Sequence, residues 1–485
     1  MFSPPLDVLL MFALTTPLIG WISTKIRFKS LCGVYAVIGL SASGYEIYRL
    51  GNVFTETEMI VLNSEPFYSC LRIDYLSFFM ALIFILLGFI AALYSIKYME
   101  KDSGVALYYT LLLIMIFGLL GVVFSGDFFT LYIFWELMCI ASYALVAFRK
   151  QHWEPIEAGL KYLIMSSAGS ATMLLGLSTL YGLAGTLNFA ELAVIVPQTS
   201  NIWSSISLIL LVVGFSVKAA IFPFHTWLPD AHPAAPTPIS ALLSGIVIKA
   251  GVYAILRSLF TFFPSTILHW QNIMVAISIL TMSFGNLAAL LQDDIKRLLA
   301  YSSIAQIGYI SFAISAAAVP QALTIGLTAA LLHILNHALM KALLFLCAGA
   351  FIYRAGTRSL KELAGVGHKM PVTAIAFTIG ALAISGIPPL NGFVSEVMIA
   401  YAGIKAGMLA YTAIFLINIL LGFAYYLRLI KIIVWSTPNE KLDEVKDAPY
   451  LMLIPILVLT VLCIIIGVYS TPFIEMAGKA AEALT

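Results

Sequence analysis

The chain has 485 residues, 61% hydrophobic and only 10% charged, with a formal net charge of +2 and a mean hydropathy of +1.00. Soluble domains carry roughly a quarter charged residues, so a chain this apolar cannot cover its surface with polar groups in water, and lipid is the solvent that fits. The small net charge excludes a nucleic-acid partner. Five scattered cysteines (Cys32, Cys70, Cys139, Cys347, Cys463) form no CxxC pair, which argues against iron–sulfur or zinc ligation. No cofactor or metal is expected of this chain, and the cysteines read as filler of apolar segments.

A bilayer core needs about 20 apolar residues per helix. Fourteen such segments are predicted, near 6–22, 31–50, 73–97, 104–125, 127–148, 157–184, 203–226, 239–262, 270–291, 298–318, 321–353, 370–402, 408–435 and 450–475. Continuous hydrophobicity means helix; barrel strands are short and alternate. The expected class is therefore an all-α polytopic membrane protein. Asp7 precedes the first apolar run and Lys25, Arg27 and Lys29 follow it, which is the wrong order for a signal peptide. Loops after odd-numbered segments hold seventeen of the 26 basic residues. The positive-inside rule then predicts both termini outside.

Two segments are interrupted. The seventh runs into VKAAIFPFHTWLPDAHPAAPTP, with five prolines from Pro223 to Pro238, and the twelfth contains SGIPPLNGF, with Pro388 and Pro389. Proline removes a helix donor and clashes with the preceding turn. Broken helices at matching positions of two halves point to an inverted-repeat transporter.

Ionisable residues sit inside the spans: Glu136, Lys161, Lys218, Lys249, His333, His337, Lys341 and Glu396. Each charge at the bilayer centre costs on the order of 2.5–3.5 kcal/mol. Burial disfavours a charged lysine and a nearby carboxylate restores it, so an acid such as Glu136 can decide whether Lys218 keeps its proton. His333, His337 and Lys341 are four residues apart and share one helix face. Such a row of titratable groups is a proton relay. Static readings stand beside this one. Glu136 and Lys218 could simply pin two helices together, and Lys249 could be structural. Lys161 could snorkel to the headgroups. His225, Asp230 and His232 could cap broken helix ends, and Asp293, Asp294, Lys296 and Arg297 could form a solvated cap.

The stretch from Lys218 to Tyr253, KAAIFPFHTWLPDAHPAAPTPISALLSGIVIKAGVY, resembles the signature of antiporter-like subunits. These occur in respiratory complex I, in Mrp-type cation/proton antiporters and in energy-converting membrane-bound hydrogenases. DFFTLYIFWELM, QDDIKRLLAYSSIAQIGY, HILNHALMKALLFLCAG and SGIPPLNGFVSE match in the expected order. The resemblance implies fourteen helices with two inverted five-helix repeats: three helices in 1–103, repeats in 104–265 and 266–436, and a loop and last helix in 437–485. It implies a switch pair Glu136 and Lys218, a central Lys249, a relay through His333, His337 and Lys341, and a terminal Glu396. Glu396 at that position leans toward the hydrogenase-like and one complex I-like branch over members with lysine there. The implied function is proton or sodium translocation within a redox-driven complex. The alternative is one component of a multisubunit sodium–proton antiporter, similar to the D component of the Mrp type. The implied partners are other membrane subunits and a peripheral arm with iron–sulfur subunits.

Overall fold

The computed structural model describes residues 4–26, 28, 30–53, 59–62, 71–199, 201–263, 265 and 269–484. Arg27, Lys29 and Cys70 lie outside the described residues. In chain order come α1 (Pro4–Ile26), α2 (Leu31–Val53), α3 (Tyr75–Tyr98), α4 (Val105–Phe124), α5 (Phe128–Val146) and α6 (Trp153–Ala184). A short α7 (Phe189–Ile195) leads to α8 (Ile202–Ala219). After the first break come α9 (Leu228–Ala234), α10 (Thr237–Phe262), α11 (Gln271–Leu290), α12 (Ile295–Ala317) and α13 (Leu323–Ala355). The second break divides α14 (Pro371–Ile384) from α15 (Asn391–Lys405). Then follow α16 (Leu409–Trp435), α17 (Tyr450–Val468) and α18 (Thr471–Glu482). Among the described residues one strand pair occurs, antiparallel β1 (Met59–Leu62) and β2 (Leu71–Asp74), with Met59 opposite Asp74.

Among the described residues, twelve helices are long and apolar enough to cross a membrane. They coincide with twelve of the fourteen predicted segments. The other two are α2, diluted by Ser41, Ser43, Glu46 and Arg49, and the divided pair α14 and α15. The last predicted segment, 450–475, stops at Val468, and α18 starts afresh with Pro472 in its first turn. That position suits proline, whose missing N–H would be unpaired there in any case.

Helix starts are written locally. Asp74 accepts from Ser77 N, Asp127 from Thr130 N, Asn201 from Trp203 N and Ser204 N, and Asp294 from Lys296 N and Arg297 N. Each satisfies donors that the first helical turn leaves free. The cap reading of Asp294 therefore holds.

Packing sorts the helices into layers. The apolar windows of α10 and α13 are wholly enclosed by protein, and α12 nearly so. α1, α6, α11, α16 and α17 turn Leu14, Ile164, Leu280, Leu420 and Val461 outward, a surface suited to acyl chains. One end of the bundle is laced by ion pairs: Arg149–Asp102 at 2.8 Å, Arg358–Glu154 at 3.0 Å, Arg297–Asp230 at 3.3 Å, Arg428–Asp293 at 2.8 Å and Lys441–Glu362 at 3.0 Å. These residues come from the ends of the third, fifth, seventh, ninth, eleventh and thirteenth segments. The alternation assumed in counting loop charges is thus met in space: the basic loops share one face.

Candidate functional site

Glu136 lies in the third turn of α5, half-buried, and its Oε1 is enclosed without a hydrogen bond to protein. Phe129, Ile133 and Ile140 on the same helix are exposed. Lys218, at the last turn of α8, is buried. Its Nζ donates to Tyr162 Oη at 2.8 Å and lies 4.6 Å over that ring. Tyr162 also shares a hydrogen bond of 2.9 Å with Ser142 and stacks on Trp227 at 4.0 Å. The Trp227 indole donates to Val217 O at 2.8 Å, a carbonyl in the last turn of α8. The first break thus folds back on α8 and seats the tyrosine against Lys218. Glu136 and Lys218 form no ion pair. Cys139, one turn on from Glu136 on α5, lies close to Lys218 and within electrostatic reach of Glu136.

Lys249 is fully buried on α10, two residues past a π-helical turn at Leu243–Val247. A π turn leaves a carbonyl without its usual partner, and the Lys249 Nζ donates to Ser244 O. Ser244 Oγ bonds Ser303 Oγ of α12 at 2.7 Å.

α13 carries the next three groups, all fully buried. His333 Nδ1 meets Ser395 Oγ at 2.9 Å, and Nε2 meets Gln306 Oε1 at 2.7 Å. His337 lies parallel to it with ring centroids 6.3 Å apart, and neither ring nitrogen bonds protein. Lys341 Nζ donates to Leu299 O at 2.9 Å, Ser302 Oγ at 2.5 Å and Tyr426 Oη at 3.2 Å. The shared face expected from spacing exists, and α12, α15 and α16 supply its partners.

Glu396 is buried on α15, and its Oε1 bonds no protein group. It sits against Gly386 in the second break, where a Cβ would overlap Oε2, and within electrostatic reach of Tyr309 and Tyr425. Asn336 ties the break to α13 by donating to Asn391 O at 2.8 Å and Ser395 Oγ at 3.0 Å.

Lys161 falls outside the row. It is half exposed and pairs with Glu157 at 2.9 Å and Asp230 at 3.0 Å. The hydroxyl and amide partners Tyr162, Ser302, Gln306 and Tyr426 escaped sequence reading. A signal existed in YSSIAQIGY: Ser302, Gln306 and Tyr309 recur at helical spacing on one face of α12. Lys296 was also misplaced. The cap reading covered its backbone, yet its side chain is buried and donates to Ala235 O at 2.6 Å. None of the buried lysines 218, 249, 296 and 341 forms an ion pair among the described residues; their partners are carbonyls and hydroxyls. Only the hydroxyl partners, Tyr162 at Lys218 and Ser302 and Tyr426 at Lys341, carry a proton of their own to exchange.

A family model described as NADH:quinone oxidoreductase/Mrp antiporter, TM, matches residues 125–422, and one for the N-terminus of complex I chain 5 matches residues 65–109. The chain belongs to this NADH:quinone oxidoreductase/Mrp antiporter family. It is 33% identical to F(420)H(2) dehydrogenase subunit N of Methanosarcina mazei over 94% of this chain and 93% of that one. It is 34% identical to hydrogenase-4 component B of Escherichia coli over 86% and 64%. A chain of the membrane-bound sulfane sulfur reductase, an archaeal respiratory membrane complex, superposes with a TM-score of 0.90 at 31% identity, covering 99% of this chain and 96% of that one. A chain of the Mrp complex from Dietzia sp. shares the fold, with a TM-score of 0.88 at 23% identity over 99% and 97%.

Proposed function

We propose that this chain translocates protons, with sodium as the other candidate, as a membrane subunit of a redox-driven energy-converting complex. One observation carries the reading: Lys249, His333, His337 and Lys341 occupy helices wholly enclosed by protein, with no carboxylate paired to either lysine. Unpaired buried charges are expensive, and replacing them with apolar side chains would stabilise an inert scaffold. Lys218 and Glu396 stand next to the two helix breaks, at the ends of the row. Glu136, on the outward side of α5, serves as the switch that a neighbouring subunit moves toward Lys218. The members of the row between its two acids are ammonium and imidazole nitrogens, which carry protons and do not ligate sodium; sodium needs several oxygen ligands at once.

The rest of the reading follows the family. The chain has fourteen spans, with repeats in 104–265 and 266–436, and resides in the cytoplasmic membrane with both termini outside. Relatives named as dehydrogenase, oxidoreductase and hydrogenase subunits favour a redox partner with a peripheral iron–sulfur arm.

The test uses the complex purified in mild detergent, with co-purifying subunits identified and iron assayed, then reconstituted in sealed vesicles. Glu136→Gln and Lys218→Ala are expected to leave donor-driven electron transfer in place and weaken ion uptake. Unchanged uptake in an assembled complex sinks the pathway. Absence of iron with only small membrane subunits points instead to a multisubunit sodium–proton antiporter.

A further inference from the structure

We propose that Lys296 and His232 form a second proton inlet, leading from the basic face to the junction of Lys249, His337 and Lys341 without passing Lys218. The inference rests on the proton-translocating reading above. A cavity of about 150 Å³ opens on the basic face, lined in part by Arg149, His152, Glu154, Arg358 and, at its floor, Lys296. It is polar and roomy enough to hold water. Lys296 is 2% exposed, and its Nζ reaches Ala235 O at 2.6 Å and Pro233 O at 3.3 Å, carbonyls at the end of α9. Those two residues follow His232 directly in the chain, one and three positions on.

His232 is fully buried and stacks on Phe345 at 4.6 Å, and both its ring nitrogens lack a protein partner. Burying an imidazole with nothing bonded to it is costly unless the ring has work to do. Its charged surroundings are Lys296, Lys341 and Lys249. His337, whose ring nitrogens likewise lack a protein partner, faces Lys249, Lys341 and His333. The line from the cavity through Lys296 and His232 therefore ends where the central lysine, the histidines and Lys341 converge. Each transfer moves one proton: Lys296 gives its proton to one His232 nitrogen, the other nitrogen releases one inward, and water in the cavity restores the ammonium.

Two variants separate relay from packing. Lys296→Arg keeps the charge and the donors to the α9 carbonyls but cannot release a proton in the working range. His232→Phe keeps the ring stack and breaks no protein hydrogen bond. In the reconstituted complex each is expected to assemble, keep electron transfer and cut proton uptake several-fold. In a background with the five native cysteines replaced, Lys296→Cys is expected to react with a membrane-impermeant thiol reagent from the basic face alone. Wild-type uptake in both variants, beside a Lys249→Met control that stops it, overturns the inlet. So does failure of the 296 thiol to react. Uptake that survives Lys249→Met overturns the underlying reading and the inlet with it.

Discussion

Gly386→Ala tests whether the row ends at Glu396. Gly386 has φ +70°, in the left-handed region that costs an alanine roughly 1–2 kcal/mol. A Cβ there also overlaps Glu396 Oε2. The carboxylate cannot retreat freely, because its neighbour Ser395 is held by His333 at 2.9 Å and by Asn336 at 3.0 Å. Overpacking of this kind costs typically about 1–3 kcal/mol, so strain and overlap together amount to roughly 2–5 kcal/mol. If only 1.4 kcal/mol of that falls on the transfer step, ion uptake drops about tenfold. The assay is donor-driven uptake into sealed vesicles, followed by a pH-sensitive dye, beside the electron-transfer rate and a native gel for assembly. Adding Glu396→Asp shortens the acid by one methylene. This relieves the overlap but not the backbone strain, so partial recovery is expected. Wild-type uptake in Gly386→Ala refutes the reasoning. So does a double variant that recovers nothing while Glu396→Asp alone is active.

Other outcomes follow from the same geometry. Lys249→Met removes a buried charge held by one carbonyl, so thermal stability should rise, by up to roughly 2.5–3.5 kcal/mol, while uptake stops; lower stability in a melting assay would contradict this. Asp74 and Arg257, the latter eight residues past Lys249 on α10, form a buried ion pair of 2.8 Å. Asp74→Asn, which can still cap α3, leaves Arg257 without its carboxylate and should cost about 3–5 kcal/mol, and adding Arg257→Met should regain most of it, as read by melting of the assembled complex. Tyr426→Phe takes one of three partners from Lys341. Losing one hydrogen bond is worth about 0.5–1.5 kcal/mol, so uptake should slow where Lys341→Met abolishes it.

The apolar runs, the two breaks and the ionisable residues were legible in the sequence because each follows from the bilayer. Length fixes spans, proline breaks them, and a charge in a span stands out against leucine. Side-chain hydroxyls were not legible. Most of those in these helices bond their own backbone four residues back, as Ser311 does to Ile307 O and Thr460 to Ile456 O. Nothing in composition separates them from Ser302, which faces Lys341. Lys296 misled for another reason. Sequence places it at a helix start beside two aspartates, an ordinary solvated position. Only the return of the proline-rich break against α12 covers it with Pro233 and Ala235. The pairing of Glu136 with Lys218 was also a matter of tertiary distance, and Tyr162 on α6 holds that lysine in its place.

The choice of partners bears on how the row works. A lysine paired with a carboxylate gains a charge-assisted bond and keeps its proton. Lys249 and Lys341 are held by carbonyl and hydroxyl oxygens, and Lys218 by a phenol. Such partners orient an ammonium without neutralising it, so its proton remains available for transfer. The acids stand at the ends, Glu136 toward the side of the molecule and Glu396 in the second break. A carboxylate brought up to Lys218 would fix the proton there, and one withdrawn would let it go. The inner helices then need no large movement. On the proposed function, a shift of Glu136 alone, pressed by a neighbouring subunit on the exposed side of α5, would change the charge at the head of the row, and repulsion between the buried ammonium groups would carry the effect inward.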